Sequence, residues 1–128
     1  MPAAADALDP ARWAELIAHR KVTVWHSAPA LLELLVGHVE AQGGDISSLR
    51  LVLLGGDWIP LSLPDRLRRL APGATVISMG GATEVSMDST IFRIDEVEPQ
   101  WTSIPYGRPM MNQRAHVVDA HLRPAPRW

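Results

Sequence analysis

Apolar residues recur along this chain in alternating helical and strand-like blocks, punctuated by glycine and proline. Trp13, Leu16 and Ile17 stand at helical spacing within Pro10–Arg20, with Asp9 placed to cap and Pro10 at the first helical position. Lys21 to Trp25 carries Val22, Thr23 and Val24, the texture of a short buried strand. His26 to Pro29 reads as a turn. Pro29 then opens a second helix on Leu31, Leu32, Leu34, Leu35 and Val39, ending near Gly43-Gly44. Leu49 to Leu54 predicts a second strand, closed by Gly55-Gly56. Pro60 to Leu70 predicts a third helix, with Leu63, Leu67 and Leu70 inward and Arg66, Arg68 and Arg69 forming a solvated face. Ala74 to Ser78 predicts a third strand, closed by Gly80-Gly81. Beyond Glu84 the texture changes: Ser89–Ile94 and Arg114–Asp119 read as short strands around an irregular loop holding Pro, Trp and Tyr.

The alternation strand–helix–strand–helix–strand predicts an α/β fold, a parallel βαβαβ sheet with right-handed crossovers. Ligands of such sheets bind outside the carboxyl ends of the strands. Three turns fall there, at His26–Pro29, Gly55–Trp58 and Met79–Glu84, so the residues able to do chemistry share one edge.

Composition narrows the function. With 128 residues the chain supports one core. Apolar residues make up 47% and charged ones 20%, a globular balance. A formal net charge of −2 offers no basic face for a phosphate backbone, so no nucleic-acid partner is expected. Cysteine is absent, which excludes disulfides and thiolate metal sites. The longest apolar runs, such as Leu51–Leu54, are far short of a bilayer span, and the first ten residues lack the pattern of a signal peptide. No membrane contact and a cytoplasmic location are therefore expected. Both ends read as interruptions of a longer chain: no closing element follows Arg123 to Trp128.

Gly80-Gly81-Ala82-Thr83-Glu84 follows a strand. Paired glycines let a backbone approach a ligand, a threonine hydroxyl can donate to a phosphate oxygen, and a carboxylate suits a hard cation such as Mg²⁺. The same five residues also read as a plain turn with Thr83 capping a helix. Gly55-Gly56-Asp57 is either a flat wall for a planar base or an ordinary strand-to-helix turn. The five histidines, His19, His26, His38, His116 and His121, show no metal-ligand spacing; His26 alone sits beside the other turns. Ser27, Ser78 and Ser86 lack the context of a nucleophilic elbow, and no Walker-type phosphate loop is present.

Four ordered stretches carry a resemblance. Ile77 to Glu84, I-S-M-G-G-A-T-E, resembles the adenylate-forming enzymes' motif N-x-Y-G-P-T-E. Thr23 to Leu32, T-V-W-H-S-A-P-A-L-L, is similar to the strand and helix before that family's acyl pocket. Leu51 to Pro60, L-V-L-L-G-G-D-W-I-P, resembles the next strand and turn. Ile104 to Asp119 resembles the segment leading out of the nucleotide site. Together they cover nearly the whole chain and look like an internal part of a nonribosomal peptide synthetase adenylation domain. The nearest subgroup is that of thiazoline-forming, siderophore-type synthetases.

The resemblance implies activation of an amino acid with Mg-ATP to an aminoacyl-adenylate, then transfer to the thiol of a peptidyl carrier protein. It implies catalytic roles for Thr83, at phosphate, and Glu84, at Mg²⁺. Gly55, Gly56 and Asp57 would border the adenine, with Gly80, Gly81, Ala82 and Thr83 completing the nucleotide contacts. His26, Leu53, Gly55, Met79, Met87 and Asp88 would line the substrate pocket, where Asp88 suits a cationic or hydroxylated side chain. Two departures stand out: Gly80 occupies the place of the family's adenine-stacking aromatic, and the pocket set differs from the cysteine-type one. Residues 1–128 are thus expected to form part of the large N-terminal subdomain. The upstream phosphate loop, the ribose-binding segment and the C-terminal subdomain with its catalytic lysine lie outside it. The isolated chain is expected to show no amino-acid-dependent ATP–pyrophosphate exchange and to leave sheet edges and apolar surface uncovered. A non-catalytic scaffold or a split enzyme completed in trans is the alternative.

Overall fold

The computed structural model describes residues 8–85 and 87–125. Helix α1 spans Pro10–Arg20, β1 Val24–Ser27, α2 Pro29–Gln42, β2 Leu51–Gly55, α3 Leu63–Leu70 and β3 Thr75–Gly80; β4, Thr90–Ile94, and β5, Arg108–Pro109, follow. The Asp9 carboxylate accepts from the Ala11 and Arg12 amides, and Pro10 begins α1 where no backbone donor is needed. Lys21, in a left-handed conformation (φ 52°), ends it with its N–H on the Ile17 carbonyl.

Strand order is β1-β2-β3-β4-β5. The first two pairings are parallel, with Val24 opposite Leu51 and Leu51 opposite Thr75. The last two are antiparallel, with Gly80 opposite Thr90 and Thr90 opposite Pro109. Because β1, β2 and β3 step in one direction, right-handed crossovers place α2 and α3 on the same face. That face holds the core: Val52, Leu54, Val76 and Ile94 from the sheet against Trp13 and Ile17 of α1, Leu32, Leu35, Val36 and Val39 of α2, and Leu63 and Leu67 of α3. Trp13 meets Trp25 edge-on, with ring centroids 5.7 Å apart. The alternate residues, Leu51, Leu53, Ile77 and Met79, are only half-buried on the opposite face. Among the described residues no helix is long and apolar enough to cross a membrane.

Several boundaries differ from the sequence pattern. β1 starts at Val24 rather than Lys21, because residues 21–22 are spent closing α1: the Val22 amide still reaches Ile17 O at 3.2 Å. His26 and Ser27 therefore belong to the strand. α3 begins at Leu63, after a turn in which the Leu63 amide bonds Pro60 O, and Pro64 takes the first-turn place that suits it. β3 runs on through Met79 and Gly80, since β4 pairs with both. Arg114–Asp119 is not a strand. It makes one isolated bridge, Val118 to Pro124, and the Asp119 carboxylate draws the chain into a turn by accepting from the His121 and Arg123 amides. The last strand is instead β5. Two of the supposedly solvated arginines are half-buried connectors: Arg66 bonds Glu40 of α2 at 2.6 Å, and Arg68 bonds Asp65 and the Ile94 carbonyl.

Candidate functional site

The carboxyl ends of β2 and β3 lie side by side, with Gly55 opposite Met79. Leaving β2, Gly56 adopts φ +83°, a left-handed turn that favours glycine, and Asp57 folds its carboxylate back onto the Trp58 amide at 2.7 Å. Leaving β3, the chain turns back tightly from Gly81, bringing Met87 and Asp88 against it. The Gly80 carbonyl accepts from the Ser89 amide (2.7 Å) and from the Ser89 and Thr90 hydroxyls; the Ala82 carbonyl accepts from the Val85 and Met87 amides. Gly81 permits this closure, since a Cβ there would stand 1.9 Å from the Met87 carbonyl oxygen. Thr83, Glu84 and Val85 form a single 3-10 turn with exposed side chains.

Between the two turns lies a cleft of about 240 Å³, lined by Gly56, Asp57, Trp58, Ile59, Ser78, Met79, Gly80, Gly81, Ile104 and Tyr106. Pockets for drug-sized ligands are commonly about 300–1,000 Å³, so this cleft has room for part of such a ligand. Gly56, Asp57, Gly80 and Gly81 thus meet in one site, as the sequence leads one to expect. Ala82, Thr83 and Glu84 follow its glycine wall without lining it.

The six pocket positions lie close by. His26 of β1 is opposite Leu53 of β2, and Gly55 is opposite Met79. Asp88 comes to this row from the loop: its Oδ1 is 3.6 Å from where a Gly55 Cβ would stand, so the missing side chain leaves the carboxylate room. Met87 is exposed at φ +67°. Among the described residues no group of three potential metal ligands gathers.

Sequence reasoning missed Trp58, Ile59, Ser78, Ile104 and Tyr106 as lining residues. Trp58 and Tyr106 pair edge-on at 6.4 Å and are both largely exposed. Their signal in the sequence was aromatic residues beside glycine, in G-D-W and P-Y-G.

The fold is an open, mostly parallel α/β sheet with helices packed on its core face and a glycine-walled cleft at the ends of β2 and β3. The model of the family described as "AMP-binding enzyme" matches residues 1–128, and the chain belongs to that family. It is 50% identical over 127 residues to pyochelin synthetase PchE of Pseudomonas aeruginosa, covering 98% of this chain and 9% of PchE. It is 41% identical over 120 residues to phenyloxazoline synthase MbtB of a Mycobacterium species, covering 94% and 10%. The nonribosomal peptide synthetase FmoA3, solved in an α-methyl-L-serine-AMP bound form, superposes with a TM-score of 0.90 at 51% identity, over 95% of this chain and 14% of that one. The chain thus matches part of a synthetase adenylation domain and spans about a tenth of these relatives.

Proposed function

We propose that this chain is the pocket-bearing part of a domain that joins an amino acid to ATP, giving an aminoacyl-adenylate and pyrophosphate, for delivery to a carrier-protein thiol. The observation that carries the reading is the meeting of the Gly56–Asp57 and Gly80–Gly81 turns in one cleft, with the substrate row beside it. In this reading the glycine turns border the adenine. The exposed Thr83 hydroxyl donates to a phosphate oxygen, and Glu84 holds Mg²⁺, which offsets negative charge as pyrophosphate departs.

His26, Leu53, Gly55, Met79, Met87 and Asp88 receive the amino-acid side chain. Asp88, beside the bare Gly55, favours a cationic or hydroxylated one. The solved relative holds a hydroxylated amino acid as its adenylate, which agrees with that preference. Catalysis needs more than these residues. The only lysine in the sequence, Lys21, closes α1 beside Asp45 (3.5 Å), before the amino end of β1 and away from the cleft. The chain therefore acts with the remainder of an adenylation domain and is inactive alone.

The test is binding of the non-hydrolysable analogue AMPPNP, measured calorimetrically with and without Mg²⁺. Glu84→Ala should abolish the Mg²⁺-dependent part of the affinity. The same Mg²⁺ dependence in that variant would overturn the assignment of Glu84.

A further inference from the structure

Gly80 is bare where a side chain would reach into the cleft, and another residue fills the space. A Cβ built on Gly80 would lie 2.6 Å from Cδ1 of Tyr106 and 3.2 Å from its Cε1. The Tyr106 ring, together with the Thr90 hydroxyl oxygen at 2.6 Å, therefore occupies the volume that a side chain at position 80 would take. We propose that Tyr106 is the aromatic wall of the base slot, presenting its ring to the purine of a nucleotide in the cleft that Gly56 and Asp57 also line. The proposal rests on the nucleotide reading above and adds to it the residue that recognises the base.

Three observations support this. The backbone on both sides of Tyr106 is anchored. Ile104 is buried in the core, and Gly107 passes so close to β4 that a Cβ there would be 2.1 Å from the Ile91 carbonyl oxygen. The ring itself is nevertheless 66% exposed. An aromatic side chain held on fixed backbone yet left open to solvent at a cleft is placed to receive a ligand. Finally, Trp58 packs edge-on to the ring, at 61° between planes, and limits its swing from the β2 side. Base–aromatic stacking needs only an accessible flat π-face, with no hydrogen-bond code.

AMPPNP titrated into the full chain, followed by proton NMR of adenine H2 and H8, tests the assignment. Stacking on a ring shifts both protons upfield. Tyr106→Phe should keep the shifts and the affinity. Tyr106→Leu should lose the shifts and weaken binding about 5- to 150-fold, while leaving the affinity for Mg-tripolyphosphate, which has no base, unchanged. If Tyr106→Leu fails to fold, Tyr106→Met, at the same exposed position, should produce the same selective loss. AMPPNP binding with unaltered shifts and affinity in the folded variant overturns the role of Tyr106 and leaves the nucleotide reading standing. Failure of a complete adenylation domain bearing this sequence to bind AMPPNP at millimolar concentration overturns both.

Discussion

Gly56 and Gly107 form a natural pair of controls for the backbone that carries the cleft. Both have φ near +80°, +83° and +80° respectively. A Cβ on Gly56 would meet nothing within 4 Å, whereas one on Gly107 would lie 2.1 Å from Ile91 O, 2.6 Å from Ile91 C and 2.6 Å from Phe92 Cβ. Alanine at either position suffers the left-handed strain of about 1–2 kcal/mol. At Gly107 it must also push β4 backbone aside, an overpacking cost of about 1–3 kcal/mol. For a chain of this size 1 kcal/mol moves Tm by about 3–5 °C. Gly56→Ala should therefore lower Tm by about 3–10 °C, and Gly107→Ala by about 3–15 °C more. Thermal melts followed by circular dichroism, on chains shown to unfold reversibly, measure both. Two variants melting within about 2 °C of each other would refute the reasoning, because the contact with β4 would then be costless. Such a result would also remove one of the two anchors that hold Tyr106.

Two further predictions follow from charges at the surface. The Arg66 guanidinium, hydrogen-bonded to Glu40, holds that carboxyl below its ordinary value of 4.5. A lowered carboxyl pKa stabilises the fold above its unfolded value, and that contribution fades as pH falls through the folded one. Between about pH 6 and pH 3, Glu40→Gln should thus lose less Tm than the unmodified chain; parallel curves would show that the link between α2 and α3 carries no pH dependence. In a complete adenylation domain bearing this sequence, Asp88→Asn should cut amino-acid-dependent ATP–pyrophosphate exchange about tenfold or more for cationic or hydroxylated amino acids, the scale of a lost charged hydrogen bond. An unchanged substrate profile would remove Asp88 from the pocket.

The helices were legible because their signals are local. Asp9-Pro10 and Pro29 mark the starts of α1 and α2, and α1 ends at Arg20 as its spacing predicts. Strand limits were less so, because they depend on partners. Nothing in Lys21–Thr23 says that closing α1 takes precedence over pairing with β2, and Gly80 looks like a turn until Thr90 is placed opposite it. β5 was invisible for the same reason: Arg108-Pro109 has no strand pattern and pairs only because Gly107 brings it to β4. Half of the cleft was readable as glycine turns. The aromatic half, Trp58 and Tyr106, comes from segments nearly 50 residues apart in sequence, and only the folded chain joins them.

In this sheet every strand pairs with the one made just before it. Successive parallel strands begin at Val24, Leu51 and Thr75, about 25 residues apart. A ribosome adding about 5–20 residues per second needs more than a second to deliver each one, while a helix of this size forms in about a microsecond. Each strand from β2 to β5 is thus expected to find the neighbour it pairs with already made. The order of synthesis is the order of assembly, and the loop bearing Tyr106 closes the cleft only after both glycine turns are in place.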